Sequence, residues 1–390
     1  MGSRATGDEL RHPAASLTID LDAIRANYRL INRKVGPDVR CGAVIKADAY
    51  GLGARVVSAA LYAEGCRDFF VAHFNEGLDV RTRIPEANIY VLNGLLPGEE
   101  ADCADADIIP VLNSLVQAKS WSNYARRAGR NLDAVVQIDS GMNRLGLSPG
   151  EVGEWKTKLN HPSGIRVRFV MSHLACAEAQ THDANAIQLA SFNDLSRIFA
   201  GAPRSLANSS AIFLGRKFHY DIVRPGAALY GINPTPNQPN PMLSTVRLSA
   251  QIIQIREAKA GDYVGYGWEF CLNRFSRLAT LSIGYADGLH RALNGRGVVY
   301  SGRQALPIIG RISMDSITVD VGALAAGDLS PGMYVDIIGD HQTVDALATS
   351  MGTSGYEVLT SLGNRCARRY LGTTGAAGAA GECSGAEARR

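Results

Sequence analysis

Short apolar runs alternate with amphipathic stretches through the first 240 residues of the chain. The runs are five to seven residues long, as in buried strands, and the longer stretches between them carry apolar residues at helical spacing. Eight such strands alternating with helices predict a parallel (β/α)8 TIM barrel, a fold of about 250 residues. An open doubly wound sheet is the alternative, which the strand count disfavours. The predicted strands are 42–47, 69–73, 89–93, 107–112, 133–139, 166–172, 204–208 and 226–231.

The pattern changes after the Pro- and Asn-rich segment NPTPNQPNPM at 233–242, which is typical of a linker. Beyond it strands follow one another without intervening helices, which predicts a C-terminal mainly-β domain. The early segment 16–20 is also strand-like and is a candidate to pair with that domain. The predicted strands of the second domain are 246–257, 278–284, 297–300, 305–309, 315–320 and 333–338. The predicted organisation is a flexible N-terminus at 1–15, the barrel at 16–240, the β-domain at 241–371 and a disordered Gly/Ala-rich tail at 372–390.

Composition and charge argue against several classes of protein. The formal net charge is +3, and lysines and arginines are dispersed without a block of like charge, so we expect no nucleic-acid partner. No segment has the ~20 apolar residues that cross a bilayer, and the N-terminus lacks the apolar core of a signal peptide. The seven cysteines are scattered without a CxxC pair, which favours reduced thiols. We expect a cytoplasmic protein with no membrane partner. The closeness of His173, Cys176 and His182 is only weak support for a metal site, so we expect none.

Reactive side chains follow several predicted barrel strands at equivalent positions. In such barrels chemistry collects at the carboxyl ends of the strands, so these side chains are expected to meet at one mouth. Each alone has an ordinary structural explanation, as a surface charge or a packing residue; their coincidence favours a site. The strand-end residues are Lys46, Asp139 with Arg144 just beyond it, His173, Asn208, Ser209, Ser210 and Arg224.

A lysine at the end of a buried strand is costly unless something uses it. Near other cations and away from water its pKa falls, and the neutral amine can condense with a carbonyl. The segments NSS at 208–210 and RPGA at 224–227 offer hydroxyls and backbone amides for a phosphate. An aldehyde and a phosphate on one cofactor indicate pyridoxal phosphate. A phosphosugar aldolase with a reactive lysine fits the barrel nearly as well, but it does not need the β-domain.

Seven motifs, taken in order, resemble those of bacterial alanine racemase, and the resemblance runs from about residue 16 to 370. The first and the sixth are specific together, although either alone is weak. The resemblance implies a pyridoxal-phosphate barrel followed by a β-domain, alanine as substrate, and a homodimer with shared active sites. The motifs are AVIKADAYGLGA, DSGMNRLG, SHLACA, ANSS, VRPGAALYG, SIGYADG and GRISMDS.

The same resemblance implies roles for individual residues. Lys46 holds the cofactor covalently and is the base on one face of the substrate; Tyr285, from the other subunit, is the base on the opposite face. Arg144 and the backbone at Met314 receive the substrate carboxylate. Arg224 faces the pyridine nitrogen. The remaining cofactor contacts are Tyr50, Asn208, Ser209, Gly226, Ala227 and Tyr356 around the phosphate, Arg144 at the phenolic oxygen, and His173 beside the ring.

One position departs from the family pattern. Gln137 stands where many members have a lysine that is modified to a carbamate and orients the arginine. Glutamine cannot carry that charge, so Arg144 must be oriented by a bound anion or by Gln137 itself. Three other functions remain open: a non-catalytic pyridoxal-phosphate carrier, an amino-acid decarboxylase, and a broad-specificity or serine racemase. An alanine racemase supplies D-alanine for peptidoglycan or serves alanine catabolism.

Overall fold

Strand β1 (Ala15–Asp20) and helix α1 (Leu21–Val35) come first in the computed structural model, which describes residues 13–157 and 164–372. Asp20 ends the strand and caps the helix, because its side chain accepts a hydrogen bond from the amide of Ala23 at 2.9 Å. Most of the two ends predicted to be flexible or disordered, residues 1–12 and 373–390, lies outside the described residues.

The next strands build the predicted parallel barrel. In the described chain, seven of them form one sheet in sequence order, and each is paired in parallel with its neighbour. The bounds are β2 (Arg40–Cys41), β3 (Ala43–Val44), β4 (Asp68–Val71), β5 (Asn88–Val91), β6 (Ile109–Leu112), β7 (Leu132–Gln137), β8 (Ile165–Met171), β9 (Arg204–Ser205) and β10 (Ile222–Val223), and the seven-stranded sheet runs from β3 to β9.

The barrel is closed by β10, which pairs in parallel with β2. The amide of Val44 continues this closure by donating to the carbonyl of Pro225 at 2.8 Å. The prediction of an eighth strand at 226–231 is therefore wrong: Ala227–Tyr230 is a buried 3-10 turn, and the strand lies just before Pro225. A short apolar run that is buried on all sides has the same hydrophobic pattern whether it forms a strand or a helical turn. Periodicity therefore could not predict which of the two structures residues 226–231 adopt.

Helices follow the barrel strands, as the alternating pattern predicts. After α1 they are α2 (Lys46–Gly51), α3 (Ala54–Ala63), α4 (Phe74–Arg81), α5 (Glu100–Asp105), α6 (Leu115–Ala128), α7 (Pro149–Thr157) and α8 (Ala184–Leu195). The first of these is unusual, because its backbone from Ala47 to Tyr50 is left-handed, with φ between 52° and 58°. Among the described residues no helix is long and apolar enough to span a bilayer.

Aromatic side chains fill the interior of the barrel. The rings of Phe70 and Tyr90 stack with centroids 4.8 Å apart, and Phe169 meets Tyr90 edge-on at 5.1 Å. The Tyr90 hydroxyl donates to the buried carboxylate of Asp68 at 2.9 Å, so its polar end is satisfied inside the core. Because this interior is packed, open space is left for a ligand at the carboxyl ends of the strands.

The C-terminal domain is mainly antiparallel sheet. Its strands are β11 (Val246–Ala258), β12 (Tyr263–Val264), β13 (Phe270–Cys271), β14 (Ser276–Leu281), β15 (Val298–Ser301), β16 (Gln304–Ile309), β17 (Ile317–Asp320), β18 (Tyr334–Ile338) and β19 (Ala367–Leu371), with helices α9 (Val344–Met351) and α10 (Gly355–Ser361). Within the described residues, six of these strands close into a barrel in the order β14-β17-β16-β15-β18-β11, since β11 also pairs with β14.

The first and last described strands extend this sheet. β1 pairs antiparallel with β11 and parallel with β19, so the expectation that 16–20 pairs with strands of the β-domain is confirmed. The two short strands β12 and β13, the strand β19 and the two helices were not predicted. The first described strand thus belongs to the sheet of the C-terminal domain, and the strands of the barrel follow it.

Candidate active site

A cavity of about 510 Å³ lies at the barrel mouth. All ten residues that the resemblance assigns to the cofactor line it: Lys46, Tyr50, Arg144, His173, Asn208, Ser209, Arg224, Gly226, Ala227 and Tyr356. Nine of them come from the barrel and follow its strands. Tyr356 comes from α10 of the C-terminal domain, so both domains build the wall of this cavity.

The apolar run predicted that Lys46 ends a strand, and this prediction is wrong. Strand β3 ends at Val44, and Lys46 begins the left-handed turn. The turn places Lys46 at its start and Tyr50 at its end, and both line the cavity. Burial lowers the pKa of the Lys46 amine, and the nearby Arg144 guanidinium lowers it further, while Glu76 opposes the change. A lowered pKa increases the fraction of Lys46 that is present as the neutral, nucleophilic amine at neutral pH.

Arg224 lines the cavity and is buried. Its guanidinium donates to the carbonyl of Ser172 at 2.6 Å and to the hydroxyl of Ser205, and no carboxylate of a described residue pairs with it. Burial lowers the pKa of Arg224 to about 9, which still leaves it protonated at neutral pH. The cavity therefore has a fixed cation with hydrogen-bond donors to spare.

His173 follows β8, is half-buried and faces three cations. Burial first, and then Arg224, Arg144 and Lys46, lower its pKa to about 3. The imidazole is therefore neutral at any physiological pH. It can pack against a ring, and its two ring nitrogens offer one hydrogen-bond donor and one acceptor, but it does not carry the second proton of an imidazolium.

One end of the cavity has the form of an anion cradle. The Ser209 hydroxyl accepts from the amides of Gly226 at 2.9 Å and Ala228 at 3.2 Å. The rings of Tyr50 and Tyr356 are 6.4 Å apart at the same end. A Cβ on Gly226 would lie 2.5 Å from the Tyr50 hydroxyl, so the absence of a side chain there lets this hydroxyl approach the backbone. The Ser209 hydroxyl, which these two amides leave with its own proton to donate, and the two tyrosine hydroxyls suit a phosphate.

Gln137 holds the loop that carries Arg144. Its side-chain amide donates to the carbonyl of Leu145 at 3.0 Å, and Gln137 is itself buried. Asp139 stabilises the start of the same loop, because one of its oxygens accepts from the amides of Gly141 at 2.8 Å and Met142 at 2.9 Å. A neutral side chain at 137 can thus fix the backbone beside Arg144 without a charge of its own.

Tyr285 and Met314 lie apart from this group. Neither lines the cavity, and they are 42% and 52% exposed. They are nevertheless joined to each other: the amide of Tyr285 donates to the carbonyl of Ser313 at 3.1 Å, and that of Ala286 to the carbonyl of Met314 at 3.0 Å. A Cβ on Gly284 would lie 2.3 Å from the Met314 carbonyl, so only glycine allows the two turns to approach this closely.

Sequence reasoning overlooked Glu178, which also lines the cavity. The hydroxyl of Tyr356 donates to its carboxylate at 3.5 Å, and burial together with this carboxylate raises the pKa of Tyr356 to about 12. Glu178 follows His173 in the same loop after β8, so its position beyond a strand end was the available signal. Its contact with Tyr356, which lies 178 residues further along the chain, could not be predicted from the sequence.

These features fit pyridoxal phosphate. The cavity volume is typical of small-molecule and cofactor sites. It offers an amine that can bond to an aldehyde, a cradle for a phosphate, and a buried cation without a carboxylate partner, which suits an uncharged ring nitrogen. The fold and the site therefore define a two-domain barrel protein with an amine nucleophile in a cation-lined cavity.

Comparisons with known proteins identify the family. The family model described as alanine racemase, N-terminal domain, matches residues 19–234, and the model for the C-terminal domain matches residues 245–370. The chain belongs to the alanine racemase family.

Individual relatives agree with this assignment. The chain is 50% identical over 356 residues to the catabolic alanine racemase of Agrobacterium fabrum, covering 91% of this chain and 92% of the relative. It is 45% identical over 373 residues to the alanine racemase of Brucella canis, covering 92% and 94%. Among solved structures it resembles the Bartonella henselae alanine racemase with covalently bound pyridoxal phosphate, with a TM-score of 0.89, 41% identity, and 92% and 99% coverage.

Proposed function

We propose that this chain interconverts L- and D-alanine in the cytoplasm, with pyridoxal phosphate bound covalently to Lys46. The observation that carries the proposal is the convergence of all ten assigned cofactor residues on one cavity. The Bartonella henselae relative, which has the same fold, holds this cofactor covalently. We place the division between barrel and β-domain at residues 240 and 241, because the two family models leave 235–244 unassigned between them.

The binding roles follow from the chemistry of each wall. Pyridoxal phosphate, when bound, delocalises the electron pair that is left at Cα after a proton is removed. Arg224 stays protonated at neutral pH and has only donors to offer, so it leaves a ring nitrogen opposite it unprotonated and weakens that delocalisation, which limits side reactions. His173 packs beside the ring as a neutral side chain. The phosphate is held by Tyr50, Asn208, Ser209, Gly226, Ala227 and Tyr356, all of which line the cavity.

Racemisation needs two bases. A proton leaves Cα on one face and another arrives on the opposite face, so one group must hold a proton on each side. Lys46 is the base on one face, and its lowered pKa brings it closer to the working pH. Tyr285 of the partner subunit is the base on the other face.

A homodimer is part of this proposal. Tyr285 and Met314 are exposed and absent from the lining of the cavity formed by their own chain, although the resemblance to alanine racemase implies that they act beside the substrate. A second copy can present both together, because their turns are bonded through the backbone. The backbone at Met314 then binds the substrate carboxylate with Arg144 of the facing chain.

The test is a racemase assay combined with chemical trapping. We expect the purified protein to form D-alanine from L-alanine and to have an absorption band in the visible range. Borohydride reduction should remove this band and leave the cofactor permanently attached to the peptide that contains Lys46. The Lys46→Ala variant should fold, bind no cofactor covalently and not racemise alanine. Normal activity in that variant contradicts the proposal. A rate with L-serine equal to that with L-alanine would instead identify a broad-specificity racemase.

A further inference from the structure

The segment that carries Lys46 is strained. Ala47, Asp48, Ala49 and Tyr50 are four consecutive residues with φ between 52° and 58°, and none is glycine. Each such residue costs about 1–2 kcal/mol in the left-handed conformation, which normally appears only singly. Strain of this kind persists when neighbouring structure holds it, and it is often found at functional sites.

Glu76 holds the first peptide of this turn. Its Oε1 accepts from the amide of Ala47 at 2.8 Å, and this amide belongs to the peptide bond that joins Lys46 to Ala47. Its Oε2 accepts from the amides of Ala72 at 2.7 Å and His73 at 3.1 Å, directly after β4. The carboxylate therefore ties the turn to the end of a neighbouring barrel strand, with three hydrogen bonds of the charge-assisted kind.

The far end of the turn is held by the C-terminal part of the chain. The carbonyl of Gly51 accepts from Arg368 at 3.1 and 2.9 Å, and a Cβ on Gly51 would lie 2.7 Å from the carbonyl of Leu359. Asp48 adds a local bond, since it accepts from the amide of Ala54 at 2.7 Å. Glu76 is thus the support nearest to Lys46, at the end of the turn where the reactive amine begins.

We propose that Glu76 is a positioning residue for Lys46: its carboxylate fixes the strained Lys46–Ala47 peptide and so directs the lysine into the cavity. The proposal rests on the function assigned above to Lys46. The carboxylate has a second effect through its charge, because a nearby anion favours the protonated amine and so keeps the Lys46 pKa from falling as far as burial and Arg144 would take it.

The test replaces Glu76 by glutamine, which has the same shape but only one acceptor oxygen. One of the two acceptor positions then presents an NH2 group to a backbone N–H, so the bond to Ala47 or those to Ala72 and His73 must break. The matched control is Glu151→Gln. Glu151 also bridges two backbone segments, accepting from the amides of Ser148 at 3.0 Å and Leu115 at 3.3 Å, but it contacts no residue of the turn.

Two readouts separate positioning from general stability. In the full-length cofactor-free chain, acetylation of Lys46 by acetic anhydride is followed across pH by mass spectrometry; for Glu76→Gln we expect the profile to move to lower pH, because the anion that favours the ammonium is gone. In the cofactor-loaded enzyme we expect kcat to fall about 10- to 100-fold, with a smaller change in KM, since a reacting group misplaced by about 1 Å loses that much. Glu151→Gln should match the wild type in both.

An unchanged Lys46 profile together with a kcat within twofold of the wild type overturns the proposal. A wild-type protein that does not racemise alanine refutes the proposed function instead, and the acetylation profile still tests the position of Lys46. If Glu76→Gln does not fold, it is made in an Ala47→Gly background. Glycine adopts the left-handed conformation without the Cβ penalty, so the double variant should fold and still show the shifted profile.

Discussion

The guanidinium of Arg365 donates two parallel hydrogen bonds to the carboxylate of Asp287, at 2.7 and 2.9 Å. The Asp287 side chain is only 4% exposed and also accepts from the amide of Gly284 at 2.8 Å. A third bond from Arg365 reaches Asp315 at 2.6 Å. Asp287 follows Tyr285 by two positions, and Asp315 follows Met314 directly. Arg365 therefore ties together the two turns that each subunit of the proposed dimer presents to the other subunit.

Arg365→Lys should therefore slow racemisation without abolishing folding. Lysine keeps the charge but cannot make the paired bonds, so the Tyr285 turn loosens and kcat is expected to fall about tenfold. In the proposed mechanism Tyr285 removes the α-proton of only one enantiomer. The kinetic isotope effect should thus rise with one of α-deuterated L- and D-alanine and not with the other.

The control for this prediction is Arg274→Lys. Arg274 is another exposed arginine that donates to a buried aspartate, Asp320, at 2.9 Å in the same domain. The Arg274→Lys substitution should leave the isotope effects with both enantiomers unchanged. Equal rises for both enantiomers in Arg365→Lys would show that the residue supports the domain generally and not the Tyr285 turn.

Shared active sites predict complementation between two inactive chains. Lys46→Ala and Tyr285→Phe should each be inactive alone. In a heterodimer with two-fold symmetry, one site carries both defects and the other carries neither, so co-expression should restore up to about half the wild-type activity per heterodimer. Inactive heterodimers formed from folded, dimeric parents would show that both bases act within one chain or that Tyr285 is not a base.

Replacing Arg224 by glutamate should change the side reactions. A carboxylate opposite the pyridine nitrogen favours its protonation and strengthens electron withdrawal. We expect slower racemisation and more pyruvate formed by transamination, measured together over time. Arg224→Lys keeps a cation in place and is the control. Pyruvate formation at the wild-type level in Arg224→Glu, with the cofactor bound, contradicts the role given to Arg224.

His173 predicts an acid-sensitive fold. Its pKa is about 3 in the folded protein and about 6.5 when unfolded, so below pH 6.5 the unfolded chain binds the extra proton and stability falls as the pH falls. Between pH 7 and pH 5 this difference in the pKa of His173 should lower the free energy of unfolding by roughly 2 kcal/mol. Urea unfolding of the cofactor-free protein at both pH values should show this loss in the wild type and a smaller loss in His173→Gln. Equal losses in the two proteins would mean that His173 is protonated in the fold.

The sequence by itself determined the two-domain architecture and most of the barrel mouth. Strand and helix periods are local, so seven of the eight barrel strands were found close to their actual positions, and the strand-end rule brought Lys46, His173 and Arg224 together. The separate β-domain was also predictable, because consecutive strands without helices leave a local pattern. Individual roles for these side chains came from the resemblance of motifs and not from spacing.

The tertiary structure alone decided the conformation around Lys46 and the partners of several side chains that line the cavity. Asp48 and Gly51 tolerate the left-handed region, but the letters KADAYG do not predict four consecutive left-handed residues. The turn is held by Glu76 on one side and by Leu359 and Arg368, more than 300 residues further along, on the other. The contact of Tyr356 with Glu178 likewise depends on how the domains pack. These features depend on long-range packing that outweighs local preference, and a local pattern contains no information about which distant atoms will supply it.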